Sequence, residues 1–168
     1  FDMGGTTAKI CLIDNFELPL SRTFEVDRAH RFMKGSGMPI KIPVVDMVEI
    51  GAGGGSLAKV DELGRIHVGP ESAGSEPGPA CYGSGGKNAA VTDANLALNR
   101  LDPEKFAGGS MVLDSESAVQ AVKKAVGDPL VVTTTEAAQA IIEIVDENMA
   151  SAARVHAVEK GVDVKERT

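Results

Sequence analysis

"FDMGGTTAKICLID" (Phe1–Asp14) decides how the rest of the chain is read. An acidic residue stands two positions before a Gly-Gly-Thr-Thr turn, and the apolar, partly alternating run "AKICLID" (Ala8–Asp14) follows it. A strand ending at Asp2, a turn through Gly4 and Gly5, and a strand restarting near Ala8 make a tight β-turn-β unit. Glycines let a ligand approach the backbone, successive N–H groups cradle an anion, and the hydroxyls of Thr6 and Thr7 add donors. Asp2 repels a phosphate unless a cation lies between them. The combination points to a carboxylate that holds hydrated Mg2+ beside a nucleotide phosphate, or that positions a water for attack. The plainer alternative is a glycine-rich hairpin with an aspartate at its corner.

The chain has 168 residues, 43% hydrophobic and 24% charged. That is about one domain of ordinary globular composition. A net charge of −7 and the lack of a basic run argue against nucleic acid as a partner. No apolar run reaches the ~18 residues of a membrane span, and no signal peptide is recognisable. Cys11 and Cys81 are too few for a disulfide framework, which fits a cytoplasmic protein.

Two unlike parts follow one another, a β- and loop-rich stretch over residues 1–90 and a mainly helical one over residues 91–168. Up to Gly86 the chain holds 15 of its 19 glycines and 6 of its 8 prolines, so short strands and structured loops are expected there. "SRTFEV" (Ser21–Val26) reads as the partner of Ala8–Asp14 across "DNFELP". Ser56–Asp61 and Arg65–Val68 flank "ELG" as a second hairpin. Asp27–Pro43 reads as an exposed loop or edge segment. Beyond Val91 the period turns helical. Helices are expected near Thr92–Leu101, stopped by Asp102–Pro103, and near Ser115–Val126, ended by Gly127. The stripe of the second is Ala118, Val119, Ala121, Val122, Ala125 and Val126. After the β-rich "LVVTTT" comes the longest helix, Glu136–Lys160. Thr133 and Glu136 have capping-box spacing and Gly161 is a natural C-cap. Its nearly all-round apolar sequence suggests burial between layers.

The second glycine run, "GAGGGS" (Gly51–Ser56), fails the dinucleotide fingerprint because Ser56 stands where a glycine belongs. Strand-like sequence on both sides makes Gly53, Gly54 and Gly55 a place where the backbone passes close to a ligand or another strand, rather than a linker. "GSGGKN" fails the phosphate-loop pattern at Cys81 and Asn88. Gly69–Gly86 is a long turn-rich loop. Cys81 lacks a neighbouring histidine and reads as a buried structural thiol. His30, His67 and His156 have no metal-ligand spacing. Asp46, Glu49, Asp61, Glu71 and Asp93 lie near the glycine loops, and spacing alone picks no general base among them.

"DMGGTT", "GAGGGS", "GPESAG", "PGPACYG" and "VTDAN", in this order, resemble the hydantoinase A / 5-oxoprolinase family. The resemblance runs over nearly the whole chain. It implies an α/β fold, a ribonuclease-H-like half of an actin / sugar-kinase type ATPase, and the 168 residues as a single partial domain. It also implies ATP and Mg2+ as cofactors. Asp2 falls on the catalytic and metal-handling position, with Gly4, Gly5, Thr6, Thr7, Gly53, Gly54 and Gly55 as cofactor-binding residues. The first phosphate loop is expected upstream and an adenosine segment after Thr168. An isolated 168-residue piece is then expected to fold but to bind nucleotide weakly and to turn nothing over. The implied chemistry is ATP-dependent opening of a cyclic amide, hydantoin or 5-oxoproline in type, through phosphorylation of the carbonyl oxygen. The alternatives are an ATP-dependent ketone carboxylase subunit and a non-catalytic ATP-binding regulator. Implied partners are the cyclic amide, the missing parts of the same chain, and a hydantoinase B-type subunit or further copies. Lys9 departs from the pattern, because oxoprolinase-like members commonly carry an acid there. A different anionic substrate, a salt bridge or altered chemistry would each account for it.

Overall fold

A computed structural model describes residues 1–27, 29 and 35–163. The alternation in "AKIC" places Ala8 and Ile10 in the core and leaves Lys9 and Cys11 half-exposed. These residues form β2 (Ala8–Cys11), preceded by β1 (Asp2–Met3). Five short strands follow: β3 (Leu20–Ser21), β4 (Phe24–Val26), β5 (Met38–Ile40), β6 (Val44–Val45) and β7 (Met47–Ile50). β1, β2 and β7 make one antiparallel sheet with β2 in the centre. The register sets Ala8 opposite Ile50 and Ile10 opposite Val48, which collects the apolar residues on one face.

The expected partner of β2 is therefore wrong. Ser21–Val26 is divided between β3, which pairs β6, and β4, which pairs β5. β2 itself ends at Cys11 rather than Asp14. Asp14–Glu17 closes as a small turn with positive φ at Asn15 and Phe16, so the chain leaves the sheet before a hairpin can form. The described part of Asp27–Pro43 includes β5; Arg28 and His30–Lys34 lie outside the described residues.

The second hairpin is as read. β8 (Ser56–Val60) pairs β9 (Ile66–Ser72), so Gly69–Ser72 belongs to a strand and the loop that follows starts at Ala73. Asp61 shapes its turn. Its carboxylate accepts from the N–H groups of Leu63 and Arg65, from Arg65 Nε, and meets His67 Nε2 at 2.9 Å. Those bonds hold the Asp61 carboxyl well below its ordinary range.

Among the described residues all helices longer than one turn follow Ala90. α1 (Val91–Ala97) ends well before Asp102, because Asn99 takes the left-handed conformation at φ 55°. α2 (Ser115–Val122) starts on Asp114, whose carboxylate caps the N–H groups of Glu116 and Ser117. Gly127 does not end it. The chain continues through a π-helical turn, Lys123–Gly127, into α3 (Asp128–Leu130), and the left-handed residue is Val131. Pro129 fits the first turn of α3, where an N–H has no helical partner. Of the expected stripe, Ala118, Ala121, Val122 and Val126 are buried, whereas Val119 is exposed. "LVVTTT" forms no strand.

α4 (Thr134–Glu159) has the predicted capping box. Glu136 N–H donates to Thr133 Oγ1 and Thr133 N–H to the Glu136 carboxylate. Gly161 turns the chain away at φ 68°. The helix is not enclosed all round. Ala138, Ile141, Ile142, Val145, Met149 and Ala152 are buried against α1, β7 and β9, while Val155 and Val158 face solvent. Each buried isoleucine adds roughly 1.5–3 kcal/mol, so one packed stripe is enough to hold this helix. The fold is mixed α/β, with β7, β9 and α1 packed on that stripe.

One buried carboxylate ties the layers together. Asp93, fully buried in the first turn of α1, accepts from the N–H groups of Ala90 (2.8 Å), Cys81 (2.8 Å) and Ala80 (3.2 Å). Asp93→Ala strands three buried donors at once, and we expect it to destabilise the protein by about 3–5 kcal/mol. Urea unfolding checks this: a loss below ~1 kcal/mol would show that water satisfies the freed groups.

Candidate functional site

The Gly4–Thr7 turn is closed by a bond from Gly4 N–H to Thr7 O of 2.9 Å, with Gly5 and Thr6 at its tip. The second glycine run packs directly beneath it. Gly54 N–H donates to Gly4 O (3.0 Å) and Gly55 N–H to Gly5 O (2.6 Å). A Cβ on Gly53 would lie 2.6 Å from Gly4 O and 2.8 Å from Gly5 C, and one on Gly55 2.9 Å from Gly5 O. Backbone against backbone at this separation leaves no room for a side chain. Of the two readings of Gly53–Gly55, the close approach is to another stretch of the same chain.

The second run is fixed in turn. Thr92 donates its N–H and its hydroxyl to Gly54 O, both at 2.8 Å. The buried Ser56 accepts from Gly53 N–H at 2.9 Å, and Ala73 N–H donates to Gly55 O at 2.8 Å. Since Asp93 pins the start of α1, the path from Asp93 through Thr92 to the glycine runs is continuous. Thr92 and Ser56 were not singled out from sequence. The fragments "VTDAN" and "GGGS" carry them, but which backbone they grip depends on the tertiary fold.

Asp2 lies in β1, exposed, directly across the ladder from Lys9; Lys9 in turn faces Glu49 of β7. Side chains at such positions share a face, so acid, base and acid stand in a row beside the turn. Lys9 Nζ pairs with Glu49 Oε1 at 3.3 Å and donates to Thr7 Oγ1 at 2.8 Å. Hydrogen bonds from Thr7 and then Lys9 hold the Glu49 carboxyl below its ordinary range. Lys9 therefore takes the salt-bridge option of the three its sequence position left open.

The remaining acids are engaged elsewhere. Asp46 pairs Lys160, Glu71 pairs Lys59, and Asp61 and Asp93 serve the turn and α1. Burial, with Asp93 beside it, pushes the Cys81 thiol far above its ordinary range, as befits a structural residue. His67 pairs Asp61, His156 is buried on α4, and His30 lies outside the described residues. Among the described residues no three His, Cys, Asp or Glu side chains converge on a metal position. Mg2+ does not need such a cage, because it keeps several waters and takes one or two carboxylates plus phosphate oxygens. A single exposed Asp2 suits it. The outer side of the turn suits a phosphate: nothing stands within 4 Å of a Cβ built on Gly5, and Thr6 is exposed.

A family model for hydantoinase/oxoprolinase matches residues 1–168. The chain belongs to that family. Caprolactamase subunit alpha of Pseudomonas jessenii is 38% identical over 165 residues, 98% of this chain and 22% of its own. The solved structure of that ATP-dependent caprolactamase superposes with a TM-score of 0.78 over 96% of this chain. Nucleotide-free acetone carboxylase superposes with a TM-score of 0.80 at 29% identity, covering 96% of this chain and 22% of that one. An uncharacterized protein of Methanocaldococcus jannaschii is 43% identical over 99% of this chain and 25% of its own length. The chain thus spans about a quarter or less of the family relatives it matches. It shares the fold of the corresponding piece of the two solved family enzymes, one of which is named as the subunit of a larger assembly. No described helix is long and apolar enough to cross a membrane.

Proposed function

We propose that these residues form one wall of the nucleotide site in a longer ATP-dependent enzyme that opens a cyclic amide. The observation that carries this reading is the Gly4–Thr7 turn, held from below by Gly53–Gly55 with its outer side open and Asp2 at its flank. ATP, when bound, would supply a phosphoryl group to the amide oxygen and leave as ADP; water added to the carbon so activated would let the ring C–N bond break, with a proton passing to the amine, and hydrolysis of the resulting acyl phosphate would release phosphate. Gly5 and Thr6 at the tip of the turn bind phosphate oxygens through N–H and hydroxyl donors, while Gly4, whose N–H closes on Thr7 O, and Thr7, whose hydroxyl bonds Glu49, hold the turn in shape for that ligand. Asp2 would hold Mg2+, which would neutralise charge on the phosphate, and Gly53, Gly54 and Gly55 act on the nucleotide by fixing the turn. Positioning and electrostatics make up most of phosphoryl-transfer catalysis, so a rigid turn is the useful part of such a wall. The other walls come from the rest of the longer chain and from a second subunit, in keeping with the subunit naming of the caprolactamase relative. Two free thiols, Cys11 and Cys81, suit the reducing cytoplasm.

The likeness to acetone carboxylase favours a second reading, in which the same ATP chemistry activates a ketone for carboxylation. Phosphate release by the full-length protein with its partner subunit separates the two. We expect release that depends on a lactam and yields the ring-opened amino acid. Release that requires bicarbonate and a ketone would establish the carboxylase instead, and release indifferent to both would leave neither standing.

A further inference from the structure

Lys9 has no role in the chemistry above, yet it is the best-connected charge near the turn. An ammonium has only donors. Thr7 Oγ1, 2.8 Å from Nζ, must therefore accept, which leaves its own single proton to be donated. The third member is Glu49, 3.3 Å from Nζ and hydrogen-bonded by Thr7 as well. Lys9, Thr7 and Glu49 thus close a ring across β2 and β7, and the ring selects the Thr7 side-chain orientation. Asp2 stands on the opposite flank of Lys9 in the same row. With Lys9 the row carries a net charge of −1; without it two carboxylates face an incoming phosphate at −2. Lys9 and Glu49 are only partly covered, so solvent screens each pair, but a bound polyphosphate displaces that solvent on one side.

We propose that Lys9 is a positioning residue for the anionic phosphate ligand of this turn, clamped by Glu49 so that it fixes the Thr7 side chain at the base of the turn and offsets the charge of Asp2. This rests on the reading of the turn as a phosphate site and extends it to residues outside the glycine-threonine motif. The ring acts chiefly on ligand binding, because it is complete before any bond changes. Its loss belongs in KM for Mg-ATP rather than in kcat.

The experiment is steady-state kinetics of the full-length protein with its partner subunit, varying Mg-ATP. Lys9→Met keeps the length and apolar stem and removes the charge. It is expected to raise KM for Mg-ATP roughly tenfold, the usual loss of one charge-assisted hydrogen bond, with kcat within about threefold. Lys9→Arg is expected to recover most of the loss, and Glu49→Gln, which keeps an acceptor but loses the clamp's charge, to raise KM about threefold. Where Lys9→Met does not fold, Glu49→Gln and Lys9→Arg carry the test. Unchanged KM in the variants, or equal damage by Met and Arg, overturns the proposal. Saturable Mg-ATP dependence of the wild type in that same experiment leaves the reading of the turn intact, and its absence sinks both together.

Discussion

Under the proposed function, Gly53→Ala in the full-length protein is expected to lower ATP-coupled turnover about a hundredfold. The added methyl would stand 2.6 Å from Gly4 O and 2.8 Å from both Gly5 C and Gly5 O. All three are backbone atoms, so no side chain can rotate away. The contact is relieved only if the Gly4–Gly5 turn lifts off the second run, which strains the bonds from Gly54 N–H and Gly55 N–H. A shift near 1 Å in a positioning element costs on the order of a hundredfold in rate. Gly127→Ala is the matched control. That glycine is helical at φ −58°, and its methyl would meet Val132 O at an ordinary 3.4 Å. Turnover within a factor of two is expected there. Kinetics of both variants, alongside their melting temperatures, check the contrast. Equal, near-normal turnover would mean that the two runs are not held together during catalysis.

The parts of this structure that were legible in the sequence are local. Thr133 and Glu136 start α4 because a capping box is written in four residues. The β8–β9 hairpin is legible because two alternating runs flank a short turn. The glycine runs announced a close backbone approach, though not that each was the other's partner. What failed was non-local. β2 pairs with β7, some forty residues on rather than with the next apolar run, and nothing in Ser21–Val26 forbids the simpler pairing. That error hid the site's electrostatics, since Lys9 meets Glu49 only through the β2–β7 register. The end of α2 failed for a different reason. Gly127 accepts helical φ and ψ as readily as left-handed ones, so a glycine marks a permitted stop and not a required one. On α4, composition showed apolar residues but not which of them face the core. Val155 and Val158 remain outside because the layers that cover Ile141 and Val145 do not extend round the helix.

The largest effect is expected at Asp2. It sits in a two-residue strand, exposed, and among the described residues shares its row with Lys9 and Glu49. Surface substitutions away from packed or capped positions change stability by about 0.5 kcal/mol or less, so Asp2→Ala should leave the melting temperature within roughly 2 °C. Turnover should respond very differently. A carboxylate that holds a cation against the transferring phosphoryl group acts where charge develops, and removing one such preorganised group costs on the order of a thousandfold. Asp2→Asn keeps the shape and one acceptor oxygen but loses the charge, and is expected to recover little. The Lys9–Glu49 pair would survive either change, because it does not depend on β1. A fall in kcat with an unaltered melting curve therefore separates a functional aspartate from the corner residue of a hairpin. Unchanged turnover in both variants would reduce the turn to structure and would overturn the reading of Asp2 as the cation's ligand.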